Sequence, residues 1–316
     1  MDPLKRGRLL ICGAAVCWSS AGPLVKYANQ ALDNWQITGG RSFFALLFML
    51  AVVRPWRGPR WWRPSLKVAL LALAYALMLI GYITALVYTT AANAIFLQDT
   101  APIWVMLLSP LLLKEPFRPR DLVLVALCAA GMSLFFLDEL GAGQAFGNTM
   151  AACSGVGYAL VVIGLRWGRA KDEEPPPRPF PERDSAAPPR RGGLHAGTRA
   201  PSDAELLVIW GNLFCFLICA CFAKPLPPAA ELPVPLATIF VLGIVQLGLG
   251  YYLMMQGIRH VPALEASLLA LLEPVLNPLW TFLFIGERPG PWALLGGGII
   301  LGSIVMQSLR APKAPH

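Results

Sequence analysis

The chain has 316 residues, of which 56% are hydrophobic and only 14% are Asp, Glu, Lys or Arg, and it carries a formal net charge of +8. A soluble domain has about 25% charged residues, so this composition excludes a water-facing surface over most of the chain. Nucleic acid is excluded as the reason for the positive charge, because the basic residues sit in short segments between apolar runs, where they act as an orientation signal.

A helix needs about 20 apolar residues to cross about 30 Å of hydrocarbon, and ten runs qualify. In chain order their expected limits are 8–28, 35–53, 66–88, 93–113, 120–137, 145–166, 204–223, 236–258, 263–285 and 291–309. Isolated strands would leave backbone groups unpaired in lipid, and the alternation of a membrane barrel is absent, so all ten are expected to be helical. The first run is long enough to span, and no small-residue cleavage site leads from it into a polar mature chain.

The basic residues alternate between loops. One set of loops holds Lys5, Arg6, Arg8, Arg54, Arg57, Arg60, Arg63, Lys67, Lys114, Arg118, Arg120, Arg166, Arg169, Lys171, Arg259, Arg310 and Lys313, whereas the other holds Lys26, Lys224 and Arg288. By the positive-inside rule this predicts a multi-pass inner (plasma) membrane protein with both termini in the cytoplasm.

Residues 169–203 are rich in Pro, Arg and Glu and nearly free of large aliphatics. Such a segment cannot bury a core, and it is expected to be a disordered cytoplasmic linker. The seven cysteines lie in apolar runs, and His195, His260 and His316 lie outside them. With no CxxC pair at metal spacing and no phosphate-binding loop, the expectation is no metal, no cofactor and no enzymatic chemistry.

An internal repeat is the most informative feature. Pro102 precedes Glu115 by thirteen residues in APIWVMLLSPLLLKEPFRP, and Pro274 precedes Glu287 by thirteen in EPVLNPLWTFLFIGERPGP. Each copy runs on into a span rich in small residues. Earlier in each half CWSSAGPLVK is similar to GYALVVIGLR, which sets Trp18 against Tyr158 and Lys26 against Arg166. Five helices per half is an odd number, so the second copy must insert upside down. The expected architecture is an all-α polytopic membrane protein, with about ten transmembrane helices in two inverted five-helix repeats. The repeats are expected at 1–140 and at 141–168 with 204–310. Carriers that work by alternating access are built this way, with a site near the midplane.

These residues give the chain its resemblance to the tandem EamA domains of the drug/metabolite transporter superfamily. The resemblance rests on Pro102 with Glu115, Pro274 with Glu287, the small-residue helices after them, and Trp18 and Tyr158; the position of Arg41 in the second span is also similar. It covers nearly the whole chain except the linker. It implies a ten-helix carrier, commonly an exporter of amino acids or related metabolites. The small multidrug exporters of the same superfamily use a glutamate in their first helix, and the first span here has no acidic residue.

Ionisable side chains inside spans are costly, at least about 2.5–3.5 kcal/mol each near a helix centre, and so point to function. Arg41, Asp99, Glu273 and Glu265 are the candidates. Arg41 is expected either to bind a substrate carboxylate or to pair with Asp99, and Glu273 to exchange a proton with the transport cycle. Glu265, near the cytoplasmic end, is expected to cap or snorkel. Pro102 and Pro274 are expected to break their helices at matching positions. Glu115 and Glu287 are expected to be structural, capping the helices that follow them. Trp18, Tyr82, Asn93, Gln98, Tyr158, Trp210, Gln246, Tyr251, Gln256 and Asn277 are expected along the path. Gly147, Ala151 and Gly155, and Gly298 with Gly302, are expected to allow close helix contacts, within the chain or in a homodimer. The functional expectation is a secondary carrier that exports small metabolites, partnered by the lipid bilayer, its substrate and protons. The alternatives are a drug or organic-cation exporter and a lipid-modifying membrane enzyme.

Overall fold

The computed structural model describes residues 2–58, 61–89, 91–115, 119–135, 145–173, 200–228, 231–276, 280 and 291–309. Its helices are α1 (Pro3–Trp18), α2 (Ala21–Ala28), α3 (Asn34–Val53), α4 (Leu66–Tyr88), α5 (Ala91–Gln98), α6 (Ala101–Leu112) and α7 (Pro119–Phe135). In the second half they are α8 (Ala145–Glu173), α9 (Asp203–Phe222), α10 (Pro233–Val241), α11 (Gly250–Gly257), α12 (Ala263–Ala270) and α13 (Pro291–Leu309). A π-helical segment, Leu242–Leu249, joins α10 to α11.

Seven stretches among the described residues are long and apolar enough to cross a membrane: Pro3–Ala28, Asn34–Arg57, Leu66–Tyr88, Asn93–Leu112, Ala145–Arg169, Asp203–Phe222 and Pro233–Gly257. Leu294–Met306 within α13 is a shorter apolar stretch, and α7 and α12 stand at the fifth and ninth expected spans. On α4, Leu66, Leu70, Leu73 and Leu77 are all exposed. Their spacing of three and four residues makes one continuous apolar stripe, which only a lipid solvent accepts.

The packing repeats about a pseudo-two-fold axis. The equivalents α3 and α9 pack on each other, as do α7 and α13. In the first half α4 lies against α8 and α9. In the second, the π-bearing span lies against α1 and α3 in the same pattern. α1 begins on the face where Gly7 meets Gly257 and His260, here called the N-terminal face. α8 begins on the far face, where Gly147 meets Tyr88 and Thr89. The halves therefore run in opposite senses.

The two equivalent helices α3 and α9 start alike. Asp33 accepts from Gln36 N while Gln36 accepts from Asp33 N, and Ser202 with Glu205 forms the same reciprocal box. Each box satisfies two backbone donors that the helix leaves open. The first reaches the other half, where Asp33 Oδ2 accepts from Lys224 N at 3.0 Å; the second holds to its own half, where Glu205 pairs with Arg169 of α8 at 3.1 Å.

The structure corrects three expectations. α1 starts at Pro3 under an Asp2 cap, so Lys5, Arg6 and Arg8 lie on the helix and not in a loop. The linker does not begin at 169: α8 continues to Glu173, and Arg169 is buried against Glu205. That buried ion pair holds the last turns of α8 on α9. Residues 174–199 of the expected linker lie outside the described residues. For Gly298 and Gly302 of α13 the close contact within the chain is not found among the described residues, with nothing within 4 Å of an added Cβ, whereas a Cβ on Gly155 would stand 2.8 Å from the Leu97 carbonyl and 2.9 Å from that of Gln98.

Candidate functional site

The site is built where helices are interrupted. α5 ends at Gln98, and Asp99 and Thr100 form a turn before α6 begins. Thr100 Oγ1 donates to the Leu97 carbonyl at 2.7 Å, which ties off the turn. Pro102 then occupies the first turn of α6, where its missing N–H costs nothing. In the second half α12 stops at Ala270, Leu271 is a turn, and helix resumes over 272–276 around Pro274. Both expected breaks are thus present, each beside an acid: Asp99 in the first turn, Glu273 just after the second. Gly155 lets α8 approach the first break closely enough to touch its carbonyls.

Two further interruptions have no proline to announce them inside the gap. The first span breaks at Ser19–Ser20, between α1 and α2, immediately after Trp18. Trp280 Nε1 donates to Ser19 Oγ at 2.7 Å. The π-helical segment carries Gln246, and its Gly243 lies against Phe44 and the Arg41 carbonyl. Inserting a π-turn rotates the residues beyond it relative to a regular helix, and here Gln246 meets Arg41.

Around these interruptions lies a small cavity of about 30 Å³. Trp18, Arg41, Tyr82, Gln98, Asp99 and Tyr158 line it from the first half and α8, and Gln246, Tyr251 and Glu273 from the second half. Met78, Leu79 and Leu247 complete the wall. Nothing in the sequence marks these three, since an apolar residue inside a span looks the same whether it faces a cavity, a neighbour or lipid.

The aromatic wall is rigid. Trp18 meets Tyr158 edge-on at 6.0 Å and Tyr251 at 5.0 Å, and Tyr75 meets Tyr251 at 4.8 Å. Behind it, Asn212 Nδ2 donates to Tyr75 Oη at 3.2 Å and Tyr251 Oη to Met78 Sδ at 3.7 Å. Gln98 Nε2 donates to Ser154 Oγ at 2.9 Å, and Ser154 Oγ donates to the Met78 carbonyl at 2.9 Å. Each bond fixes a ring or amide that would otherwise rotate.

The charged groups are held differently. Arg41 is 1% exposed, and among the described residues its one hydrogen bond is from Nη1 to Gln246 Oε1 at 3.4 Å, while its Nε has no acceptor there. The expected alternative of an Arg41–Asp99 ion pair is not formed: no carboxylate lies within 4.0 Å of Arg41 among the described residues. Asp99 is 8% exposed, and its Oδ2 has no donor among the described residues. The indole N–H of Trp18 and the hydroxyl of Tyr158 have no partner among them either. Buried polar groups normally find partners, and these lie together on one cavity wall with Arg41.

Other expected residues lie elsewhere. Trp210 donates to the Trp61 carbonyl at 3.2 Å and packs on Phe214, next to the α3–α4 connection. It is an anchor there because its indole N–H finds a backbone acceptor far from the cavity. Asn93 bonds Thr89 and Asn148 near the far face. Gln256 does not line the cavity. Asn277 and Glu287 lie outside the described residues.

Glu115 reaches across to the other half. Its Oε1 pairs with Arg166 Nε at 2.8 Å, and its Oε2 accepts from Ala263 N at 3.1 Å, the first residue of α12 in the other half. Arg166 Nη1 in turn donates to the carbonyls of Ile258 and Arg259 at the end of α11, at 3.1 and 2.7 Å. Glu265 is held by Arg8 at 2.6 Å. These contacts join the halves on the N-terminal face.

Two inverted helical halves with interrupted spans around a polar cavity define a carrier-type polytopic membrane protein. The EamA-like transporter family model matches residues 5–137 and 199–309, and the chain belongs to that family. It is similar to three proteins of Archaeoglobus fulgidus, each named an uncharacterized transporter. The first is 24% identical over 96% of each chain; the second is 23% identical over 94% of this chain and 83% of the relative; the third is 23% identical over 97% and 98%. A solved crystal structure, 17% identical, matches with a TM-score of 0.72 over 96% of both chains and shares the fold.

Proposed function

We propose that the chain is a secondary carrier that exports small zwitterionic metabolites, amino acids first, by alternating access, with protons as the coupling ion. One observation carries this reading: Arg41 is buried with no carboxylate within 4.0 Å among the described residues, in the same cavity as Asp99 and Glu273. A zwitterion supplies both missing partners, its carboxylate to the guanidinium and its ammonium to an acid. Had Arg41 faced away from the cavity, the remaining acids and aromatics would have suited an organic cation.

The latches Glu115–Arg166 and Arg8–Glu265, with the close contact of Gly7 and Gly257, are the contacts that opening toward the N-terminal face must break. That face is proposed to be cytoplasmic in the inner (plasma) membrane. A cysteine at Arg57 is then expected to be protected, and one at Glu231 labelled, when a membrane-impermeant maleimide is added to intact cells. The reverse pattern would overturn the orientation.

The transport experiment uses liposomes containing purified protein, a panel of labelled amino acids and a quaternary ammonium compound. Saturable amino-acid flux that responds to a pH gradient is expected. In Glu273→Gln the flux is expected to persist for exchange but to lose its response to the gradient, because a neutral amide carries no proton. Flux of the quaternary ammonium alone would replace the proposal with cation efflux, and no saturable flux of any panel member would remove it.

A further inference from the structure

A second chamber, about 100 Å³, lies between the broken α5–α6 span and α7. Phe96, Val125, Cys128, Met132 and Leu271 form much of its wall, and Asp99 belongs to both this chamber and the central cavity. The two spaces therefore meet at one carboxylate that is more than nine-tenths buried and has an oxygen without a donor among the described residues. Apart from Asp99 the wall is mostly aliphatic, aromatic, thioether and thiol, and its two hydroxyls, Thr100 and Ser133, donate to the carbonyls of Leu97 and Ala129, in contrast to the amides, phenols and charges of the central cavity.

We propose that this chamber is the subsite for the apolar side chain of the transported molecule, so that the preferred substrates are amino acids with bulky apolar side chains. This rests on the zwitterion reading above. When the carboxylate lies on Arg41 and the ammonium on Asp99, the substituent on the same carbon as the ammonium is next to Asp99, at the mouth of the chamber. The chamber accepts hydrocarbon there, each buried methylene contributing about fourfold in affinity. An anionic side chain finds no cation among the named wall groups and is rejected. The helix break is what makes the arrangement available: a continuous helix through 98–101 would place a full backbone turn between the two spaces.

The test compares leucine and alanine in the same liposomes. Wild-type protein is expected to carry leucine with the lower KM. Ala129→Phe, which pushes a ring into the chamber from α7, is expected to lower the leucine-to-alanine ratio of transport efficiency about tenfold. Cys128→Gly, which enlarges the chamber, is expected to raise the phenylalanine-to-leucine ratio. A folding defect would reduce both substrates together and leave the ratios where they were, so ratios are read from correctly inserted protein and the two variants move them in opposite directions. Unchanged ratios in both variants, with alanine and leucine still carried, would overturn the side-chain subsite and leave the zwitterion reading intact. Absence of all amino-acid flux in the wild type would overturn both.

Discussion

Arg41→Met is expected to lose substrate transport while making the protein harder to unfold. The guanidinium is 1% exposed and has one long hydrogen bond, to Gln246, with no carboxylate in reach among the described residues. A charge held in this way destabilises the empty carrier, at least about 2.5–3.5 kcal/mol for a cation near a helix centre. Removing it leaves Gln246 without its donor, which returns about 1–3 kcal/mol. The balance is a gain of roughly 1 kcal/mol, seen as a thermal midpoint in detergent about 1–3 °C higher. Transport moves the other way. A hydrogen bond to a charged group contributes about 1.5–3 kcal/mol, so transport efficiency should fall ~10–150-fold. Arg41→Lys keeps the charge and loses the planar fork, and should fall between. If Arg41 were a structural lock, the Met variant would lower the midpoint, and that result would remove Arg41 from the binding role.

Glu115→Ala is expected to have the opposite signature, a large loss of stability. Glu115 makes two bonds that cross between the halves, to Arg166 at 2.8 Å and to the backbone N–H of Ala263 at 3.1 Å. Pro262 at the N-cap of α12 offers no side-chain cap of its own, so Glu115 is the group that satisfies this end of the helix. The ion pair is about three-quarters buried, with side-chain exposures of 27% and 21%. A charge-assisted bond of about 1.5–3 kcal/mol and a helix cap of about 1 kcal/mol together give ~2–4 kcal/mol. The thermal midpoint should drop by roughly 5–10 °C. Glu115→Gln retains an acceptor for Ala263 and should recover part of the loss. A midpoint for Glu115→Ala within one degree of wild type would show that these bonds add nothing to folding.

The spans were legible because lipid permits so little. A run of apolar residues long enough to cross has one way to satisfy its backbone, and the described helices fall in the expected runs. The helix breaks at Asp99–Thr100 and Leu271 were legible for a related reason, since proline at matching repeat positions marks them. The capping boxes at Asp33–Gln36 and Ser202–Glu205 were equally readable as a short polar residue followed three positions later by Gln or Glu. They identify the starts of the equivalent helices α3 and α9 more sharply than hydropathy does. The break at Ser19–Ser20 and the π-segment were not legible. Two serines in an apolar run and a glutamine four residues before Gly250 also fit an unbroken helix, and which form wins depends on what packs beside them.

Trp210 and Glu115 show where residue type misleads. Both stand out in the sequence as polar or amphipathic groups at spans, yet Trp210 anchors to a backbone carbonyl near the α3–α4 connection. Glu115, four residues before the helix it was expected to cap, closes a helix in the opposite half. A sequence gives a donor or acceptor its chemistry but not the neighbour that uses it, because the neighbour comes from another helix.

By itself the sequence determined the solvent, the number and periodicity of the spans and the inverted repeat. It also determined which few side chains are too costly in lipid to be there without a role. These follow from local composition and from the price of an unpaired polar group in hydrocarbon. Only the tertiary structure decided that Arg41 and Asp99 share a cavity without pairing, that the π-turn brings Gln246 to Arg41, and that Asp99 stands between two chambers of different chemistry. Those facts depend on the depth and rotation of helices packed against one another, and a shift of one residue along a helix turns a side chain by about 100°.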